Sequence, residues 1–183
     1  MAIGFEDGVA MAKLTKTDIH RLFELLDEEL ATVDCHGELY VVGGAVMCLA
    51  LGARESTRDV DALFKPTKVI REAAARVASR MSVPSTWLND AVKGFLSPRG
   101  EFDDYLELGH LRVFVAPPSY LLAMKCAAMR LGEEFHDLDD VRYLLRYLNI
   151  TTAEEALAIV TRYFDEERLP AKTRLALEEL LDE

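Results

Sequence analysis

The chain has 183 residues, is 50% hydrophobic and carries a net charge of −11, which suits one compact domain of about 110–150 residues with a small helical appendage. Its acidic balance argues against a general nucleic-acid binder, because such affinity comes largely from lysine and arginine neutralising phosphates. There is no apolar run near the roughly 20 residues that cross a bilayer, no basic-then-apolar leader in MAIGFEDGVAMAK, and no metal-type spacing among Cys35, Cys48 and Cys126. The expectation is a cytoplasmic protein without membrane contact, disulfide framework or zinc site.

Thr15 with Asp18 forms a capping-box pattern, and Ile19, Leu22, Phe23, Leu26 and Leu30 recur at helical spacing to about Ala31. Glu38 to Val42 reads as a strand ended by Gly43–Gly44, followed by a short apolar helix from Ala45 to Leu51. A second strand is expected from Thr57 to Phe64, then a helix from Thr67 to Met81, then an irregular or extended piece from Pro84 to Asn89. Phe102–Leu108 and Leu111–Ala116 read as a hairpin turning at Gly109–His110. Pro117–Pro118 opens a helix that carries Lys125, and His136–Asp137 opens another to about Leu148. Thr152 with Glu155 repeats the capping box, and Pro170–Leu181 closes the chain as an amphipathic helix. The order predicts an α+β fold: a small mixed sheet flanked by helices over residues 1–116, then a helical C-terminal lobe over 117–183, the two packed as one unit.

Two features carry the chemistry. Gly43 and Gly44 end a strand where backbone can approach a phosphate closely and where a helix N-terminus adds N–H groups. Asp59 and Asp61 follow, expected on one face of the second strand and about 6–7 Å apart. That separation suits a shared divalent ion, which phosphoryl transfer uses to neutralise charge. Taken singly, the glycines also fit a plain turn and the aspartates a solvated strand face. The stretch Arg54–Arg80 holds seven basic residues against four acidic ones, net +3. It reads either as a basic rim for a nucleotide or RNA end, or, for Lys68, Arg71, Arg76 and Arg80, as an ordinary helix face.

The glycine pair, Arg54, Thr57 and the D-V-D of Asp59–Asp61 resemble the signature of the DNA polymerase β-type nucleotidyltransferase superfamily, and more narrowly the small bacterial AbiEii-toxin-like nucleotidyltransferases. The likeness extends over roughly residues 38–148 through Lys125 in SYLLAMKCAAMRL and Asp137/Asp140 in HDLDDVRYLL. It implies Mg²⁺ (or Mn²⁺) held by Asp59 and Asp61, and an NTP seated by Gly43, Gly44, Arg54, Thr57, Arg58 and Lys125. Asp59, Asp61 and Lys125 would be catalytic, with Asp137 and Asp140 accessory. The implied reaction moves a nucleoside monophosphate to a hydroxyl, with a tRNA 3′ end as acceptor and a cognate antitoxin protein as partner in the toxin-like case.

From the residues themselves, Lys125 is equally a snorkelling side chain with an apolar stem, and Asp137/Asp140 read as partners of Lys125, as aids to metal or substrate binding, or simply as stabilisers of a helix N-terminus. Superfamily catalysts usually add a third carboxylate on a later strand. Leu111–Ala116 has none, which leaves Asp90, Asp103, Asp104 and Glu107 as candidates and opens a second reading, a non-catalytic nucleotide- or partner-binding scaffold. Trp87 and Asn89 are placed either at the pocket or, for the tryptophan, in the core.

Overall fold

Alternation decides which side of each strand is buried. In Gly37–Val42 (β2) the positions Gly37, Leu39 and Val41 are buried between half-buried Glu38 and Tyr40, and in Val60–Lys65 (β4) Val60, Ala62 and Phe64 are buried while Asp61 and Leu63 face the other way. The computed structural model describes residues 13–129 and 137–182. It confirms the α+β class, with a five-stranded mixed sheet in the order β5-β4-β2-β7-β6, where β5 is Leu88–Asn89, β6 is Asp103–Glu107 and β7 is Leu111–Val115. Strand β2 pairs antiparallel with β4 and parallel with β7. A separate two-stranded pairing joins Leu14–Thr15 (β1) to Ser56–Thr57 (β3).

Two helices, Lys16–Thr32 (α1) and Thr67–Met81 (α3), pack on each other and against the sheet. Both halves of the Thr15/Asp18 capping box are formed. The basic residues of α3 meet the acidic side of α1: Arg76 pairs with Glu29, and Arg80 with Glu28 and Glu29. Arg71 pairs with Asp90, and Lys68 lies 4.0 Å from Glu72. These four cations are therefore a paired helix face, and a basic rim over Arg54–Arg80 shrinks to its first residues.

After the hairpin come Pro118–Ala127 (α4), Asp137–Tyr147 (α5), Ala153–Tyr163 (α6) and Lys172–Asp182 (α7), with α4 packed on α5 and α6, and α6 on α7. The Thr152/Glu155 capping box starts α6. Tyr120, Leu121 and Leu122 of α4, Val141 and Leu144 of α5, Leu157 and Val160 of α6 and Leu177 of α7 join the same buried cluster as the sheet. On the outer sheet face Tyr40 stacks on Phe114 and meets Phe102 edge-on, and Phe102 meets Tyr120 edge-on, which seats α4 over that face. The expected helix start at His136 lies outside the described residues. No helix among the described residues is long and apolar enough to cross a membrane.

The short extended piece expected around Trp87 is present: Trp87 is buried in the core, its indole N–H donates to the Ala74 carbonyl at 3.0 Å, and Leu88–Asn89 pair parallel with Val60–Asp61. Two expectations need correction. The helix after the glycines is Gly44–Leu49 (α2), shorter than Ala45–Leu51 at its end. Thr57–Phe64 is two strands instead of one. Ser56–Thr57 belongs with Leu14–Thr15, whereas the Val60 N–H donates to the Trp87 carbonyl at 2.6 Å. The chain changes partners at Arg58–Asp59, so Asp59 stands just ahead of β4 and not within it.

Candidate functional site

Asp61 occupies the centre of the site because of register. It lies opposite Val42 on one side and opposite Asn89 on the other. Next to Val42 the chain turns through Gly43, at φ +68° and ψ −148°, a backbone region essentially reserved for glycine. A Cβ on Gly43 would lie 3.3 Å from Asp61 Oδ2, and one on Gly44 would lie 3.1 Å from Thr57 Oγ1 and 3.2 Å from Arg54 Nη1. At these two positions glycine keeps open the space between backbone, carboxylate and guanidinium. What the pair contributes is clearance, since α2 has six residues and little dipole to offer.

Despite the break in the strand, Asp59 stays with Asp61. The Thr57 hydroxyl donates to the Asp59 carbonyl at 3.3 Å and holds the bend, and Asn89 Nδ2 donates to Asp59 Oδ2 at 3.2 Å. The Asn89 amide is oriented by its other end, where Oδ1 accepts the Ala91 N–H at 3.3 Å. Burial pushes the Asp59 carboxyl above its usual value against the pull of Asn89 and the Arg58 charge. Burial also pushes Asp61 up, helped by the Asp59 charge and opposed by Asn89 and Lys125. Two desolvated, mutually repelling carboxylates form an all-oxygen donor set that gains from a hard divalent cation.

Among the described residues no group of three or more His, Cys, Asp or Glu side chains is gathered to hold a metal. Mg²⁺ fits the pair nonetheless, because it is ordinarily held by one or two carboxylates together with substrate phosphates and water. None of the expected third carboxylates joins. Asp90 points to Arg71 and Lys93, at 2.9 and 3.1 Å. Asp103, Asp104 and Glu107 lie on β6, three strand spacings or about 14 Å from β4, with Asp104 near Arg112. The neighbouring strand instead places the neutral Asn89 beside Asp61.

Lys125 resolves against snorkelling. Its ammonium lies 2.8 Å from Asp140 and 3.0 Å from Asp137. Asp140 is 4% exposed and also accepts two hydrogen bonds from Arg54, from Nε at 2.9 Å and from Nη2. Asp140 thus ties a lysine on α4 to an arginine in the loop before the carboxylate pair, and Asp137 adds a second contact to the lysine. Arg58, on the exposed bend, is near enough to act on Asp59 by charge. Of the cysteines, Cys48 and Cys126 are buried, and burial pushes the Cys126 thiol up to about 12, so it is unreactive at neutral pH.

A cavity of about 380 Å³ opens beside this network, lined in part by Gly43, Asp61, Lys125 and Asp137. The volume lies in the range of small-ligand sites. Its lining also includes Val92 and Phe95 from a 3₁₀ turn over Ala91–Phe95, which no sequence motif singles out. The signal for them is indirect: an aromatic residue four positions after Ala91, in a segment too short to bury it. Comparison with protein-family models, with curated proteins and with solved structures finds no match.

The glycine cradle makes a sharp expectation. Gly43→Ala should lose about 1–3 kcal/mol for the backbone conformation and also lose ligand binding, because the methyl crowds Asp61 Oδ2. Gly52, at φ +61° with open space around its Cβ position, is the control. Gly52→Ala should show a stability loss of similar origin, read by thermal unfolding, with binding of Mg²⁺–NTP unchanged. Equal binding in both variants would mean the cradle seats nothing.

Proposed function

We propose that this chain is a Mg²⁺-dependent nucleotidyltransferase of the DNA polymerase β type, moving a nucleoside monophosphate from an NTP to a hydroxyl acceptor. The observation that carries this reading is the gathering of Gly43, Asp61 and Lys125 around one cavity from three separated stretches of chain, with Asp59 tied to Asn89, the residue in register with Asp61. Mg²⁺, when bound by Asp59 and Asp61, would supply charge neutralisation at the phosphates. The chain's own residues would position. Gly43 and Gly44 admit the phosphates to the backbone, Thr57 holds the bend that presents Asp59, and Arg54, Arg58 and Lys125 border the triphosphate. In the balanced reaction the acceptor oxygen bonds to the α-phosphorus, the bond to the leaving pyrophosphate breaks, and the hydroxyl proton passes to water.

The charge arrangement bears on how NTP is held. Arg54 and Lys125 already face Asp140 and Asp137, so a triphosphate cannot be neutralised by these cations alone. Metal-free NTP binding should therefore be weak. The resemblance of the motifs to AbiEii-type toxins extends the proposal to a tRNA 3′ end as acceptor, an antitoxin protein as partner and a cytoplasmic setting.

One observation favours the second reading, a scaffold that binds nucleotide or partner without turnover: Asn89 stands in register with Asp61 and an amide cannot serve as a base. Incubation with each labelled NTP, Mg²⁺ and total RNA separates the two. Label in RNA with stoichiometric pyrophosphate release, lost in Asp59→Ala/Asp61→Ala, is the expected result. Metal-dependent NTP binding with no pyrophosphate release under any acceptor would transfer the assignment to the scaffold.

A further inference from the structure

The lining of the cavity falls into two groups by polarity: Gly43, Asp61, Lys125 and Asp137, and the apolar Val42, Ala91, Val92, Phe95, Leu121, Met124 and Ala128. Among these described residues no side chain of the second group carries an amide, hydroxyl or charge with which to read the edge of a base. Phe95 is 64% exposed, an unusual state for a phenyl ring, and it borders the cavity. Its position is set from the carboxylate side, since the 3₁₀ turn that ends in Phe95 begins where Asn89 Oδ1 accepts the Ala91 N–H.

We infer that the apolar lining of this cavity seats the nucleobase of the NTP, stacked on Phe95, and that it does so without choosing among the four bases. This rests on the nucleotidyltransferase reading of the polar group of lining residues. A ligand with a charged chain at one end and a flat aromatic group at the other matches both groups of lining residues at once. Stacking on an aromatic ring tolerates every base, because every base presents a π-face, whereas discrimination needs hydrogen bonds to base edges. Purines, with the larger face, bind somewhat more tightly than pyrimidines.

The test is calorimetric titration of the full chain, in Mg²⁺, with inorganic tripolyphosphate and with the α,β-methylene analogues of all four NTPs, which cannot turn over. The expected result is four nucleotide affinities within about tenfold of one another, each weakened about tenfold in Phe95→Ala, the loss of one stacking contact. Tripolyphosphate affinity should be the same in wild type and Phe95→Ala, and Phe95→Trp should restore nucleotide binding. Phe95 is exposed, so its removal leaves the core intact. A preference for one base beyond tenfold, or nucleotide affinity unchanged in Phe95→Ala while tripolyphosphate still binds, overturns the base site alone. Failure of tripolyphosphate to bind wild type overturns the phosphate site, and the nucleotidyltransferase reading with it.

Discussion

Asp59→Asn/Asp61→Asn protein is expected to be more stable than wild type at neutral pH in the absence of divalent metal, and less stable than wild type once Mg²⁺ and NTP are added. Both carboxyls are raised in the folded chain, chiefly by burial, and Asp61 also by the Asp59 charge. For an acid raised on folding, the stability tied to its protonated form is complete below the unfolded value, about 4. That stability is lost as pH climbs through the raised folded value. At pH 7 wild type has therefore given it up. Asparagine keeps a neutral side chain of the same shape, and its carbonyl can still accept from Asn89. The advantage of the variant should shrink toward zero as pH falls below about 4.

Reading the difference between the two proteins is essential, because Asp18, Glu29, Asp90 and Glu155 are held below their usual values by hydrogen bonds and ion pairs. Those groups make the whole protein lose stability in acid regardless of the site. Adding Mg²⁺–NTP stabilises only a protein that binds it, by mass action, so the order of the two melting temperatures should reverse. Transfer should fall by roughly 10³-fold or more, the several kcal/mol of charge stabilisation that a metal supplies. Thermal unfolding in chelator and in Mg²⁺–NTP, across pH 4–7, checks all of this. A wild type already the more stable in chelator at pH 7, or one that Mg²⁺–NTP fails to stabilise over the variant, would mean the pair is not poised for a cation.

What could be read beforehand follows the range of the interactions. The Thr15/Asp18 and Thr152/Glu155 caps, the alternation of β2 and the placement of Asp61 on the face opposite Val60 and Ala62 depend on neighbours within a few residues, and the structure carries them. The break at Arg58–Asp59 was not legible, because it is imposed by Leu14–Thr15 on one side and the Trp87 carbonyl on the other. Nothing local interrupts STRDVDALF. The sequence places Asn89 beside Trp87 as a lining residue, but its register with Asp61 exists only once a two-residue strand docks on β4. Likewise Arg54 and Asp140 each carried a motif role, while their contact across 86 residues of chain is a product of the fold. Lys125 was ambiguous in sequence for the same reason: whether an isolated ammonium reaches water or a carboxylate depends on where the next helix lies.

That contact supplies the second large effect. Asp140→Ala is expected to cost about 3–5 kcal/mol, the loss seen when one member of a buried charge pair is removed, since Arg54 loses its carboxylate and Lys125 keeps only its contact with Asp137. Asp140 is almost fully buried, whereas Arg54 and Lys125, 27% and 17% exposed, are only partly able to reach water. In a chain of this length such a loss lowers the melting temperature by around 10 °C or more. Asp137→Ala should be far milder, because Asp137 is 23% exposed and leaves Lys125 its contact with Asp140.

The role of the network is separable from its stability. Replacing the buried aspartate and its two cations with apolar residues, Arg54→Met/Lys125→Met/Asp140→Leu, should recover most of the lost stability, since a hydrophobic substitute for a buried ion network is often neutral or better. It should not recover NTP binding, because the proposed role of Arg54 and Lys125 is to border the phosphates. A triple variant that regains both would assign the network to folding alone. An Asp140→Ala protein melting within about 2 °C of wild type, a loss below about 1 kcal/mol, would show that Arg54 and Lys125 find water or other carboxylates without it. The buried aspartate would then hold nothing that the site requires.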